Sequence, residues 1–199
     1  MHLLKSALLL AAAAIANANK VTFVNQDDVA RTVLFTPSVD MGCIWLPELQ
    51  VGPYETVTQN FPFEWQGMWY AIKQGAERKT GMLGEIKFDG FDGLTFFDVS
   101  GIDNPTDWHN VKKMYPAEAK TPVSGCDVFW CNNAYWAPHD EQTKATREHH
   151  LITTLGDRPQ DRREYESRPS TRSIGQKFNK FARAQQGEQV EETVEAKQE

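Results

Sequence analysis

Short runs in which apolar and polar residues alternate dominate the first three-quarters of the chain. Val21-Thr22-Phe23-Val24 and Arg31-Thr32-Val33-Leu34-Phe35 flank the turn-prone stretch Asn25 to Ala30, and together they read as an opening hairpin. Glu55-Thr56-Val57-Thr58 and Met68-Trp69-Tyr70-Ala71-Ile72 are further β-branched or aromatic runs. Leu83 to Phe88 alternates, and Leu94 to Val99 is apolar and aromatic. Turn pairs punctuate these runs at Gly52-Pro53, Asp89-Gly90, Asp92-Gly93 and Asn104-Pro105. That rhythm predicts an all-β fold, a sandwich of antiparallel sheets. No sustained 3.6-residue period precedes Gly156, so little helix is expected before it. If Leu94 to Val99 is a strand, Phe96 and Asp98 share one face while Phe97 and Val99 share the other.

Both ends depart from this pattern. Lys5, the apolar stretch Leu8 to Ile15 and the small-residue site Ala16-Asn17-Ala18 predict a signal peptide over 1–18, with the mature chain starting at Asn19. The apolar stretch is far shorter than the ~20 residues of a membrane-spanning helix. The expectation is therefore an exported protein, extracellular or wall-associated, without a transmembrane segment. After Gly156 the chain turns to Arg, Gln, Glu and Lys with few large apolar residues, which predicts a disordered charged tail over 157–199 behind a folded domain over 19–156. Ile174, Phe178 and Phe181, interleaved with Lys177, Lys180 and Arg183, read either as a short basic amphipathic helix or as three isolated apolar residues; the composition favours the second.

Charge narrows the partners. The whole chain carries a formal net charge of −6, yet residues 20–156 hold 11 Lys and Arg against 18 Asp and Glu, while residues 157–199 hold nine of each. The folded part is thus the acidic part and would repel a polyanion, which argues against nucleic acid as a partner. A neutral, hydroxyl-rich glycan meets no such repulsion, and six Trp and five Tyr are available to stack on sugar faces. Three cysteines, Cys43, Cys126 and Cys131, suit one disulfide and one leftover thiol in an oxidising compartment. Three pairings are possible and the sequence does not choose between them. Their spacing matches no zinc pattern, and no metal or cofactor is implied.

Candidate chemistry rests on two frames. The first runs Gly81-Met82-Leu83-Gly84-Glu85-Ile86-Lys87-Phe88 and continues at Phe96-Phe97-Asp98-Val99-Ser100-Gly101-Ile102-Asp103-Asn104. The second runs Cys131-Asn132-Asn133-Ala134-Tyr135-Trp136-Ala137-Pro138-His139-Asp140. These segments resemble the thaumatin-like proteins, whose counterparts read L-x-E-F-x-L, F-x-D-V-S-L-V-D-G-x-N and C-P-x-A-Y-S-Y-P-x-D. The spacings from Glu85 to Asp98, Asp98 to Asp103 and Cys131 to Asp140 fit without a gap. Small fungal secreted proteins look most similar overall, and some of those are described as deoxyribonucleases.

The resemblance implies a thaumatin-like β-sandwich with an acidic cleft for the wall polysaccharide β-1,3-glucan. Glu85 and Asp103 would be the catalytic pair if glucan is hydrolysed, with Glu85 as the acid, and Asp98 and Asp140 would bind hydroxyls. Two departures matter. Where the family places a cleft arginine this chain has Met68, with Lys73 the nearest cation, and it is much poorer in disulfides. Loss of a positioning cation favours glycan binding over turnover. The expected function is therefore wall-glycan binding, ahead of a weak endo-β-1,3-glucanase or a secreted protein acting on a host or neighbouring-cell surface. Last comes a nuclease, for which Asp107-Trp108-His109-Asn110, His139-Asp140 and His149-His150 are the histidine candidates; none has a diagnostic spacing.

Overall fold

The computed structural model describes residues 19–39 and 44–167. The expected signal peptide, Cys43 and the amphipathic segment around Phe178 lie outside the described residues. The described chain forms eleven strands: β1 (Lys20–Asn25), β2 (Arg31–Pro37), β3 (Leu49–Val51), β4 (Thr56–Asn60), β5 (Gln66–Lys73), β6 (Leu83–Lys87), β7 (Thr95–Ser100), β8 (Val111–Pro116), β9 (Ser124–Gly125), β10 (Lys144–Thr146) and β11 (His150–Leu155). They make a five-stranded sheet in the order β4-β1-β11-β8-β9 and a six-stranded sheet in the order β10-β7-β6-β5-β2-β3. Every pairing is antiparallel except β1 with β11. The fold is an all-β sandwich, as the turn rhythm predicts.

The alternation within each strand explains the core. Val21 and Phe23 of β1 point inward between half-buried neighbours, because successive side chains of a strand face opposite sides. Phe23 meets Trp69 of β5 edge-to-face with ring centroids 5.5 Å apart, and Phe35 of β2 at 5.9 Å. Phe61, Trp65 and Phe88 extend this aromatic cluster. Such edge-on pairs add about 0.5–1.5 kcal/mol each beyond the area they bury.

The opening hairpin is not formed. β1 lies in the five-stranded sheet and β2 in the six-stranded one, so Asn25 to Ala30 crosses between layers instead of turning within one. The reason is burial: five consecutive residues from Arg31 to Phe35 are buried, and β2 pairs along its whole length with β5. The expected boundary after Gly156 also moves. Asp157 and Asp161 are buried, and helix α1 spans Pro159–Ser167. Asp157 reads as part of a solvated charge run, but Lys112 and His109 compensate it inside the domain.

Cys126 and Cys131 form a disulfide across a short loop. Closing so short a loop contributes about 2 kcal/mol on the chain-entropy account.

Gly84 fixes the β5–β6 contact that the site depends on. It lies opposite Trp69, and a Cβ there would stand 2.6 Å from Trp69 Nε1. Gly84→Ala is expected to destabilise the domain by about 1–3 kcal/mol through overpacking, measured as a lowered urea midpoint with an unchanged slope.

Candidate functional site

Gly84 faces inward, so Glu85, its neighbour on β6, faces outward. Antiparallel pairing sets Met68 of β5 on one side of Glu85 and Asp98 of β7 on the other. Thr36 of β2 lies opposite Met68, and Thr143, just before β10, donates from Oγ1 to Asp98 Oδ2 at 3.5 Å. One row of side chains thus runs across the outer face of the six-stranded sheet: Thr36, Met68, Glu85, Asp98, Thr143. Gln66, Lys87 and Phe96 form the next row. Between them lies an open groove of about 380 Å3, whose lining includes all eight.

The electrostatics centre on Asp98. It is 8% exposed, and its Oδ1 is buried with no ordinary donor beside it among the described residues. Burial first, then the charge of Glu85 and a hydrogen bond to Glu85, push the Asp98 carboxyl up to about 8. Thr143 and Lys144 pull weakly the other way. Below that value the neutral acid form of Asp98 is favoured. Directly opposed residues in antiparallel strands have Cα atoms about 4.5–5.5 Å apart, which brings two carboxyls together and makes full ionisation of both unfavourable.

The four acids singled out in the sequence do not share one fate. Glu85 and Asp98 meet in the groove. Asp103 sits exposed on the connection after β7 and is not among the groove-lining residues. Asp140 closes its own turn, its Oδ2 accepting from the backbone N–H of Trp136 at 2.7 Å and of Ala137 at 2.9 Å. The cleft pair is therefore Glu85 with Asp98, rather than Glu85 with Asp103. Met68, standing where the family arginine was expected, is the register neighbour of Glu85.

A second cluster of polar groups was not assembled from the sequence. His109 Nδ1 bonds Asp157 Oδ2, and Asp157 Oδ1 accepts from Lys112 Nζ at 2.7 Å. Burial alone would raise the Asp157 carboxyl, but the hydrogen bonds and charges of His109 and Lys112 outweigh it and hold it at about 2. The His109 side chain is 52% exposed, so an oriented imidazole reaches the surface. The only sequence signal was the Asp107-to-Asn110 segment, whose apparent partner Asp107 instead bonds Met82 N and Asn110.

No protein-family model matches the chain. Antigenic protein SchS21 of Stachybotrys chartarum is 54% identical over 136 residues, covering 68% of this chain and 93% of that protein. The chain belongs to the family of antigenic protein SchS21. In this SchS21-family chain the two-sheet architecture also resembles the protein elicitor MoHrip2 from Magnaporthe oryzae. The TM-score is 0.52 at 17% identity, covering 70% of this chain and 99% of that one. At that identity the likeness speaks to fold. No described helix is long and apolar enough to cross a membrane.

Proposed function

We propose that this SchS21-family protein is an exported glycan-binding protein that engages a neutral wall polysaccharide of the β-1,3-glucan class through the groove on its six-stranded sheet. The observation that carries this reading is the Glu85–Asp98 pair flanked by Thr36, Thr143, Gln66 and Lys87. Carboxyl oxygens, hydroxyls, an amide and an ammonium offer both acceptors and donors to sugar hydroxyls, and an acidic floor disfavours polyanions. The disulfide is consistent with an oxidising, extracellular destination. Resemblance to thaumatin-like proteins points to the same ligand class, and the names of the relatives, an antigen and an elicitor, suit a protein encountered outside the cell by other organisms.

Binding is favoured over hydrolysis on geometric grounds. Two carboxyls that act on a glycosidic bond flank it, about 5–9.5 Å apart. Glu85 and Asp98 stand side by side on adjacent strands of one sheet face, so they do not confront each other across a bound glycosidic bond. The mature protein is expected to be retained on insoluble β-1,3-glucan without releasing reducing sugar. Glu85→Gln should weaken retention by about tenfold to a hundredfold, the effect of removing a charged hydrogen-bond partner. Equal retention of wild type and variant, or retention on no glycan among glucan, chitin and cellulose, would sink the reading.

A second reading, a secreted nuclease, draws on His109, because an imidazole held by a buried carboxylate has the geometry of a general base. Under that reading linear DNA is degraded in the presence of magnesium, and His109→Ala abolishes the loss while leaving glucan retention intact. DNA unchanged on a gel removes it.

A further inference from the structure

The acidic groove adjoins a strip of exposed aromatic and aliphatic side chains. A smaller cleft of about 90 Å3 is lined by Pro37, Ile44, Phe63, Glu64, Trp65 and Gln66. Pro37 and Gln66 line both depressions, so one leads to the other along the β2–β5 end of the groove. Phe63 is 74% exposed, and Trp45, next in the chain to Ile44, is 66% exposed. Rings of that size left in water beside a polar groove are a mark of a binding surface.

The strip is held in place. Trp65 is buried, its Nε1 donates to Ile44 O at 2.9 Å, and its ring packs on Phe61 at 4.9 Å. Around Phe63 the backbone is pinned on both sides: Trp65 N donates to Pro62 O at 3.2 Å and Glu64 N to Asp89 Oδ2 at 3.1 Å. The aromatic face is thus supported by the core, which limits the ordering cost on binding.

We propose that Phe63, with Ile44 beside it, forms a second subsite that stacks on the C–H face of a pyranose ring, so that the ligand is an extended oligosaccharide reaching from Asp98 to Phe63. The inference rests on the glycan reading above and adds to it the ligand's length and polarity. A pyranose has a hydroxyl-bearing edge and an apolar face; the groove matches the edge and the cleft matches the face. From Asp98 to Thr36 the row crosses three inter-strand steps of about 4.8 Å, about 14 Å in all, and the cleft extends it further. A single sugar ring cannot touch both ends.

Calorimetric titration with β-1,3-linked gluco-oligosaccharides of increasing length tests this. Affinity is expected to rise with length and then level off once the cleft is filled. Phe63→Ala should lose about tenfold for the long oligosaccharides, the effect of uncovering one aromatic face, and nothing for the disaccharide. Phe91→Ala removes an exposed ring that lines neither depression and should change nothing. Glu85→Gln should weaken every length. Wild-type affinity of Phe63→Ala for the longest chain, or equal losses for Phe63→Ala and Phe91→Ala, overturns the inference while the Glu85 result still supports the groove. No binding of any length by the wild type overturns both. An unchanged melting temperature confirms that Phe63→Ala is folded, as its exposure leads one to expect.

Discussion

Arg31→Met is expected to lower the unfolding free energy by about 3–5 kcal/mol, the usual result of stripping one partner from a buried charge network. Arg31 is 1% exposed. Its guanidinium donates to both carboxylate oxygens of Asp27, to Asn25 Oδ1, to the carbonyls of Val29 and His109, and to Asn110 Oδ1. Those bonds join the crossing between the sheets to the loop that presents His109. Asp27 is buried as well. Burial alone would raise its carboxyl, but the hydrogen bond and charge of Arg31 hold it below its ordinary value. A depressed carboxylate contributes stability above its unfolded pKa, and that contribution is lost as pH falls below it. In Arg31→Met most of this acid-side contribution disappears, and the buried Asp27 is left with backbone N–H groups and the distant guanidinium of Arg162 at 3.9 Å. Pairing the change with Asp27→Leu should restore much of the loss, since removing both charges is far less harmful than removing one. A single-variant loss under about 1 kcal/mol, by urea denaturation at neutral pH, would show that water reaches the network.

This network marks where the sequence stops being legible. Strands with clean alternation were readable: Leu94 to Val99 anticipates β7, Leu83 to Phe88 anticipates β6, and the expected split of Phe97 and Val99 from Phe96 and Asp98 is the one observed. Which sheet a strand joins was not readable. β1 and β2 look like hairpin partners because the local pattern records only strand, turn, strand. The crossing is set by distant groups such as His109 and Asn110 that cap Arg31. β8 was hidden for a related reason. Lys112 breaks its apolar pattern, yet it is buried, donating to Asp157 and to Trp108 O. A charged residue neutralised from far along the chain looks polar in sequence and behaves as core.

The site was half legible by the same logic. A turn centred between Phe91 and Asp92 sets Glu85 opposite Asp98, and the Gly90 and Gly93 punctuation pointed to it. The roles of Asp103 and Asp140 came from a family frame, which fixes spacing along the chain and does not fix where a loop carboxylate turns. In Asp140 the side chain is used locally, bonding the backbone of its own turn, a habit of Asp wherever a nearby N–H is open.

Between pH 5 and 8.5 the stability difference between Asp98→Asn and the wild type is expected to shift by about 4 kcal/mol in favour of the variant. The Asp98 carboxyl is raised to about 8, by burial first and by Glu85 second. An acid whose folded pKa lies above its unfolded value binds more protons folded than unfolded across the interval between them, so stability falls as pH rises, by at most about 1.4 kcal/mol per unit. Asparagine keeps the shape of the neutral acid, still donates toward Glu85 and cannot ionise, so it lacks this slope. The opposing shifts act elsewhere or cancel. Asp157, held at about 2, and Asp27, also lowered, matter only in acid. Burial raises Asp107 and lowers His150, and both are common to the two proteins, so they drop out of the difference. Parallel stability curves for the two proteins across this range would mean that Asp98 is already ionised at pH 5. The groove floor would then hold two carboxylates side by side on β6 and β7 rather than an acid and its partner, a site that offers sugar hydroxyls acceptors alone.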